Sequence, residues 1–116
     1  MAVRLVPIAV LFWKSIAGRE AVRDFLQDLS KEDRRRIGGD IRQLQYGWPI
    51  GMPLVRKIQD GLWELRTSLP SKREARILFA AGDEALVLLH AFIKKAQKTP
   101  QSELVLARQR LKGMQL

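Results

Sequence analysis

The run Ala85-Leu-Val-Leu-Leu-His90-Ala-Phe-Ile93 is apolar except for one histidine, and Lys94, Lys95 and Lys98 follow it before Thr99-Pro100. A stretch of this composition predicts a strand buried on both faces, the situation of a strand in the middle of a sheet. Such a strand carries its trailing ammonium groups to the rim of the sheet and holds them there. Thr99 as N-cap with Pro100 at the first helical position predicts a helix directly afterwards.

The neighbouring segments read as the strands this one pairs with. Glu74 to Ala81 is the next strand upstream, and Gly82-Asp83-Glu84 reads as a three-residue turn that sets Arg76 opposite His90. The odd-numbered face is then Ile77, Phe79, Ala81, Ala85, Val87, Leu89, Ala91 and Ile93, without a polar group. The even face holds Arg76, His90, Phe92 and Lys94 beside Leu78, Leu86 and Leu88. A two-residue turn would drive Arg76 into the apolar face, and an unpaired guanidinium is costly to bury. Further upstream the period becomes two from Leu54, and Gln59-Asp60-Gly61-Leu62 has the form of a type I′ hairpin turn. That turn pairs Lys57 with Glu64 and Val55 with Arg66. One face would show Lys57, Gln59, Glu64 and Arg66, the other Ile58, Trp63 and Leu65.

The first half supplies a strand and two helices. Residues 3–13 read as a buried strand, with Pro7 marking an edge, a bulge or a strand start. Val22, Phe25, Leu26 and Leu29 form one face of a short helix. Ser30 caps a second helix, with Asp33 in its first turn and Ile37, Ile41 and Leu44 as its stripe; Gly47 and Pro49 end it. Gly38-Gly39 inside this helix costs about 2 kcal/mol relative to alanine. Close packing against a neighbour is the expected compensation, with a kink or a partner surface next. Arg34, Arg35 and Arg36 form either a solvated face or a contact with RNA or the ribosome. Leu104, Ala107 and Leu111 give a last helix, stopped by Gly113. The order predicts one α+β domain spanning 1–116: an N-terminal strand and helical hairpin on a mainly antiparallel sheet, closed by a C-terminal helix.

Charge and composition narrow the chemistry. There is no cysteine and one histidine, which excludes disulfides, thiolate sites and multi-histidine metal centres and suits a cytoplasmic protein. The apolar residues 5–13 lack a small-residue cleavage site and contain Pro7, unlike a signal peptide. Twenty-one Lys and Arg against 12 Asp and Glu give a formal charge of +9. That excess favours a polyanionic partner, either nucleic acid or an acidic protein.

The polar face predicted above gathers Lys57, Arg66, Arg76, His90 and Lys94, with Lys95 and Lys98 near its exit. Such a set fits phosphoryl chemistry without metal or other cofactor. Arginines brace a phosphate and stabilise charge growing on its oxygens. A lysine or His90 moves protons to and from a ribose 2′-hydroxyl and the leaving oxygen. Phe92 offers a surface for an unpaired base. Exchange of Arg76 for alanine is expected to remove activity and spare the fold. The plainer alternatives are cross-strand pairing of Arg66 and Arg76 with Glu64 and Glu74, packing by Phe92 and His90, and a lysine patch that is solvated or docks a protein partner.

Three blocks, Gly61-Leu-Trp-Glu-Leu-Arg66, Arg76-Ile-Leu-Phe79 and Leu89-His-Ala-Phe-Ile-Lys-Lys-Ala-Gln-Lys-Thr-Pro100, resemble the phage-derived, HigB-like branch of the RelE/ParE toxin superfamily. The likeness covers nearly the whole chain, and the last block is its most specific part. It implies a RelE-like fold and the toxin of a type II toxin–antitoxin pair. Such toxins cleave mRNA in the ribosomal A site and are silenced by a co-encoded antitoxin, often with a helix-turn-helix DNA-binding domain. The resemblance places the reaction on Arg66, Arg76, Lys94 and Lys95, and less directly on Lys57, His90, Phe92 and Lys98. Many relatives also use a tyrosine near the C-terminus, whereas the single tyrosine here is Tyr46, on the second helix. Two other readings remain: a gyrase-inhibiting toxin of the ParE kind, and a nonenzymatic basic interaction module.

Overall fold

The apolar run becomes an interior strand of a five-stranded sheet. The computed structural model describes residues 4–95 and 97–114; Val3, where the N-terminal strand is expected to begin, and Ala96 lie outside them. In chain order the elements are β1 (Ala9–Phe12), α1 (Ala21–Gln27), α2 (Lys31–Gly47), β2 (Val55–Gln59), β3 (Leu62–Ser68), β4 (Glu74–Ala81), β5 (Ala85–Lys94) and α3 (Gln101–Lys112). The sheet order is β1-β5-β4-β3-β2. β2 to β5 form an antiparallel meander, and β1 closes one edge by running parallel to β5. The α+β expectation holds. The first strand is shorter than residues 3–13, starting just beyond Pro7, and as an edge strand it is only partly covered.

β5 is apolar because it serves two cores. On one side α1, α2 and the turn between them pack Val22, Leu29, Ile37 and Leu44 against Leu65, Ile77, Phe79, Leu86 and Leu88. On the other, α3 packs Leu104 and Ala107 against Leu78, Ala80, Val87, Leu89 and Phe92. Each fully buried Leu or Phe contributes about 1.5–3 kcal/mol.

Both hairpins form, and both registers differ from expectation. The Asp60-Gly61 turn is present, with Gly61 at φ +84°. Val55 nevertheless pairs with Leu65, Arg56 with Glu64 and Lys57 with Trp63, because an irregularity between Lys57 and Gln59 shifts the ladder by one residue. Arg56, not Lys57, therefore shares a face with Glu64. Lys57 lies on the Trp63 side, its Nζ 3.0 Å from Asp60 Oδ1. In the second hairpin the Gly82 N–H donates to Ala85 O at 2.8 Å, which makes Asp83-Glu84 a two-residue turn. Alone, that turn would send Arg76 to the wrong face. A bulge in β5 restores the parity: Phe79 pairs with Leu88, but Leu78 pairs with His90 and Arg76 with Phe92. Leu86 and Leu88 thus point to the helical hairpin, whereas His90, Phe92 and Lys94 share a face with Arg76.

α2 is capped and then tied to the sheet. Ser30 Oγ accepts from the Asp33 N–H at 3.2 Å. The Asp33 carboxylate, 1% exposed, reaches the β3–β4 loop, accepting from Ser71 Oγ (2.7 Å), Ser71 N (3.1 Å) and Arg73 Nη2 (3.2 Å). The Ser71 hydroxyl foremost, then its N–H and Arg73, hold the Asp33 carboxyl below its ordinary value against the opposing effect of burial. One residue farther into the loop, Lys72 takes φ 65°. Along the same helix, Asp40 Oδ2 accepts from Thr67 Oγ1 at 2.8 Å. Gly38 and Gly39 do not pack closely. Both are exposed, and nothing lies within 4 Å of a Cβ built on either. No helix among the described residues is long and apolar enough to cross a membrane.

Two stability measurements test these assignments. The double exchange Gly38→Ala/Gly39→Ala should stabilise the protein by about 2 kcal/mol, read as a rise in Tm; an unchanged Tm would show that the open helix face is not what it appears from packing. For Asp33, whose pKa is lower in the folded state, the stabilisation is complete above the unfolded value. It is lost as pH falls through the folded value. Asp33→Asn should lower Tm at pH 7 and flatten the acid limb of the stability curve.

Candidate functional site

The corrected registers arrange the face under α3 in rows. Arg66 lies beside Arg76, and Arg76 beside Phe92. One row toward the strand ends come Ser68, Glu74 and Lys94. One row inward come Arg56, Glu64, Leu78 and His90. α3 packs over the apolar inner part of this face, leaving the cationic rows toward the rim.

Glu64 organises this face. Its side chain is 1% exposed, with Oε1 3.7 Å from Arg76 Nε and 4.0 Å from Arg66 Nε. Its Oε2 accepts from Thr99 Oγ1 at 2.7 Å. Thr99 therefore spends its hydroxyl on β3 rather than as a helix cap; Pro100 occupies the cap position and α3 has no side-chain cap. The segment after Lys94 is drawn across the sheet from β5 to β3. Arg76, 3% exposed, also donates from Nη1 to Ala75 O (2.9 Å) and Glu74 Oε1 (3.4 Å). Its buried Nε has no hydrogen-bond partner. Arg66 is more open, with Nη1 3.5 Å from Met52 Sδ.

Two clefts open on the site. β3 continues past the start of β2, and the Arg66 N–H donates to Leu54 O at 2.8 Å. There the loop before β2, α2 and the strand ends frame a cleft of ≈ 610 Å³ lined by Arg36, Asp40, Arg66, Ser68, Glu74 and Arg76. A second cleft of ≈ 570 Å³ lies at the end of β5, bounded by Arg73, Phe92, Lys95, Pro100 and Glu103. Three cations in the first cleft meet Asp40, Glu74 and the underlying Glu64, so its charge is nearly balanced. By contrast, among the described residues no carboxylate lies within salt-bridge distance of Lys94, Lys95 or Lys98. Positive charge along that segment is therefore not offset by ion pairs, unlike that of the first cleft.

The residues singled out from sequence are thus distributed. Arg66 and Arg76 share the first cleft, and Lys94 stands one row away on the same face. Phe92 and Lys95 line the second cleft, although Phe92 is largely buried against α3. Lys98 is exposed on the segment leading to Thr99. Lys57 is on the opposite face. His90 faces neither cleft with a free nitrogen. Its Nε2 is 2.6 Å from Glu103 Oε2, and its Nδ1 is 3.4 Å from Arg110 Nη1. A guanidinium only donates, so Nδ1 accepts and Nε2 carries the proton shared with Glu103. Arg110 in turn donates to Leu89 O at 2.7 Å and lies 4.2 Å over the Trp13 ring; burial lowers its pKa. Histidine and arginine together fasten α3 to β5.

Sequence reasoning had Glu64 and Glu74 as cross-strand partners and Arg36 in a solvated or RNA-contacting run, but missed Glu64 as the counter-ion common to both arginines, Thr99 as its hydroxyl donor and Arg56 as a further cation of this face. The available signal was Glu64 two residues before Arg66 on one strand face. No spacing rule connects either with residue 99.

A family model described as "Phage derived protein Gp49-like (DUF891)" matches residues 24–112, a span that includes both clefts' strands and α3. No curated protein matches the chain.

The burial of Arg76 reverses the expectation that its removal spares the fold. Arg76→Ala leaves Glu64 buried without its nearest guanidinium and should cost about 3–5 kcal/mol. Arg66→Ala, at a partly exposed position, should cost no more than about 1 kcal/mol. Urea denaturation midpoints of the two variants distinguish these outcomes, and equal midpoints would contradict the assignment of Glu64 chiefly to Arg76.

Proposed function

The chain belongs to the Gp49-like family of phage-derived proteins, and on that premise we propose that it is the toxin of a type II toxin–antitoxin pair. Its activity is cleavage of mRNA in the ribosomal A site, and a co-encoded antitoxin with a helix-turn-helix DNA-binding domain silences it. The observation that carries this reading is the adjacency of Arg66 and Arg76 on one sheet face, where both line the first cleft, with Lys94 a row away on that face.

The proposed chemistry follows from those groups. Arg66 and the buried Arg76 hold the scissile phosphate and offset the charge gathering on its oxygens. Lys94 or Lys95, in its neutral form, takes the proton of the ribose 2′-hydroxyl. The 2′-oxygen attacks the adjoining phosphorus, and the bond from phosphorus to the 5′-oxygen breaks. A second cation of the lysine segment protonates that oxygen, leaving a 2′,3′-cyclic phosphate and a free 5′-hydroxyl. The substrate supplies its own nucleophile, so correct placement accounts for much of the rate. Lys98 and the edge of Phe92 contact the RNA beside the linkage. His90 acts indirectly, by seating α3, and Lys57 takes no part.

Primer extension on cellular mRNA after brief induction tests the reading. The unaltered chain should arrest growth and produce cleavage ends within codons. Arg66→Ala and Lys94→Ala should each reduce cleavage by roughly a hundredfold while Tm stays close to that of the parent. Growth arrest with intact transcripts and a DNA-damage response would instead identify a gyrase poison. Expression without arrest would leave a binding module.

A further inference from the structure

The outward side of α2 is unused by the fold and by the proposed site. Lys31, Arg35 and Arg42 project from it at helical spacing and are all exposed. Among the described residues none of the three pairs with a carboxylate, in contrast to Arg36 on the adjoining side, which reaches Asp40 at 4.0 Å. Gly38 and Gly39 lie between Arg35 and Arg42, with open space above them. At the far end the surface turns apolar. The Arg4 and Ile8 N–H groups donate to Tyr46 O (2.9 Å) and Gln45 O (3.0 Å), so residues 4–8 run beside the last turn of α2. Leu5 and Val6, 98% and 75% exposed, therefore stand next to exposed Tyr46.

We propose that this side of α2, from Lys31 to Tyr46 and on to Leu5 and Val6, is the docking site for an acidic amphipathic helix of the antitoxin. Charge complementarity selects an acidic occupant for the cationic row, and a second copy of this chain, at +9, is the wrong partner. The apolar end selects protein over nucleic acid: a phosphate backbone leaves Leu5, Val6 and Tyr46 in water, whereas the apolar stripe of a helix covers them. The glycine pair lets a partner backbone approach α2 closely. The face spans about 22 Å at 1.5 Å per residue, enough for a partner helix of roughly four turns. The identity of the partner rests on the toxin–antitoxin reading; the location of its seat rests on the surface alone.

The test is a titration of the purified full-length chain with the purified antitoxin, the product of the adjoining gene on that reading, by isothermal calorimetry. Two double variants at exposed positions outside the cleavage site, Arg35→Glu/Arg42→Glu and Leu5→Ser/Val6→Ser, should each bind at least tenfold more weakly with unchanged Tm. Gly39→Leu, which improves helix propensity and fills the open space, should weaken binding to a similar degree without lowering Tm. Binding by all three variants as tight as that of the parent overturns the proposal, as does a parent chain that does not bind the antitoxin. If the charge reversals weaken binding to a 16-base-pair RNA duplex and not to the antitoxin, the face is a nucleic-acid surface and the proposal fails. Primer extension with the unaltered chain is scored separately. Cleavage together with variant-insensitive binding sinks only the docking site; absence of cleavage sinks the mRNA-cleaving reading itself.

Discussion

Glu64 is a carboxylate withdrawn from water in the middle of a sheet face, and a charge in that position requires compensation close at hand. Arg76 supplies most of it, Arg66 a more distant share, and the Thr99 hydroxyl satisfies the remaining oxygen. These partners come from three separate parts of the chain. The bond to Thr99 pulls the segment after β5 back over β3, which fixes where Lys95 and Lys98 stand and where α3 begins. The same ion cluster that settles the interior also sets the spacing of the cations at the surface. Stability and the placement of these cations are consequently linked at the level of single atoms.

The layers around that cluster follow from simpler forces. β5 is covered on both sides, so its sequence is apolar in both parities. α1 and α2 take one side and α3 the other. Asp33 and Asp40 reach from α2 to Ser71, Arg73 and Thr67, tying the helical hairpin to the strands that carry Arg66 and Arg76. Helix and hairpin are held by hydrogen bonds to charged groups as well as by packing, which makes the orientation of α2 relative to the first cleft well defined.

Much of this architecture was legible from local rules. Helical stripes, the Ser30 cap, the Asp60-Gly61 turn and the long apolar strand each act over a few residues, and each is where periodicity places it. The face shared by Arg66, Arg76, His90, Phe92 and Lys94 was legible too, though by a different route from the one the turn suggested. What alternation does not reveal is an extra residue in a ladder. Ile58 and the Leu89–His90 step each absorb one, changing partners along the strand without leaving a distinctive sequence signal. Arg56 and Lys57 accordingly exchange faces. The engagement of both His90 nitrogens and the bond from Thr99 to Glu64 depend on where α3 settles, a long-range outcome that residue spacing does not encode. Gly38-Gly39 shows the limit from the other side: the composition flags an anomaly, but open space rather than tight packing surrounds it.

The bulge in β5 has an evolutionary corollary. Because the Asp83-Glu84 turn and the bulge each contribute one residue of offset, they cancel only as a pair. Loss of a single codon from the bulged step would rotate the distal half of the strand by half a repeat, exposing Ala91 and Ile93 toward α3 and sending the histidine and lysine into the opposite core. Homologues that lose the extra residue of one feature must therefore change the other by one residue too. Indels in this region should be inherited as compensated couples, whereas substitutions at the turn itself remain free to drift.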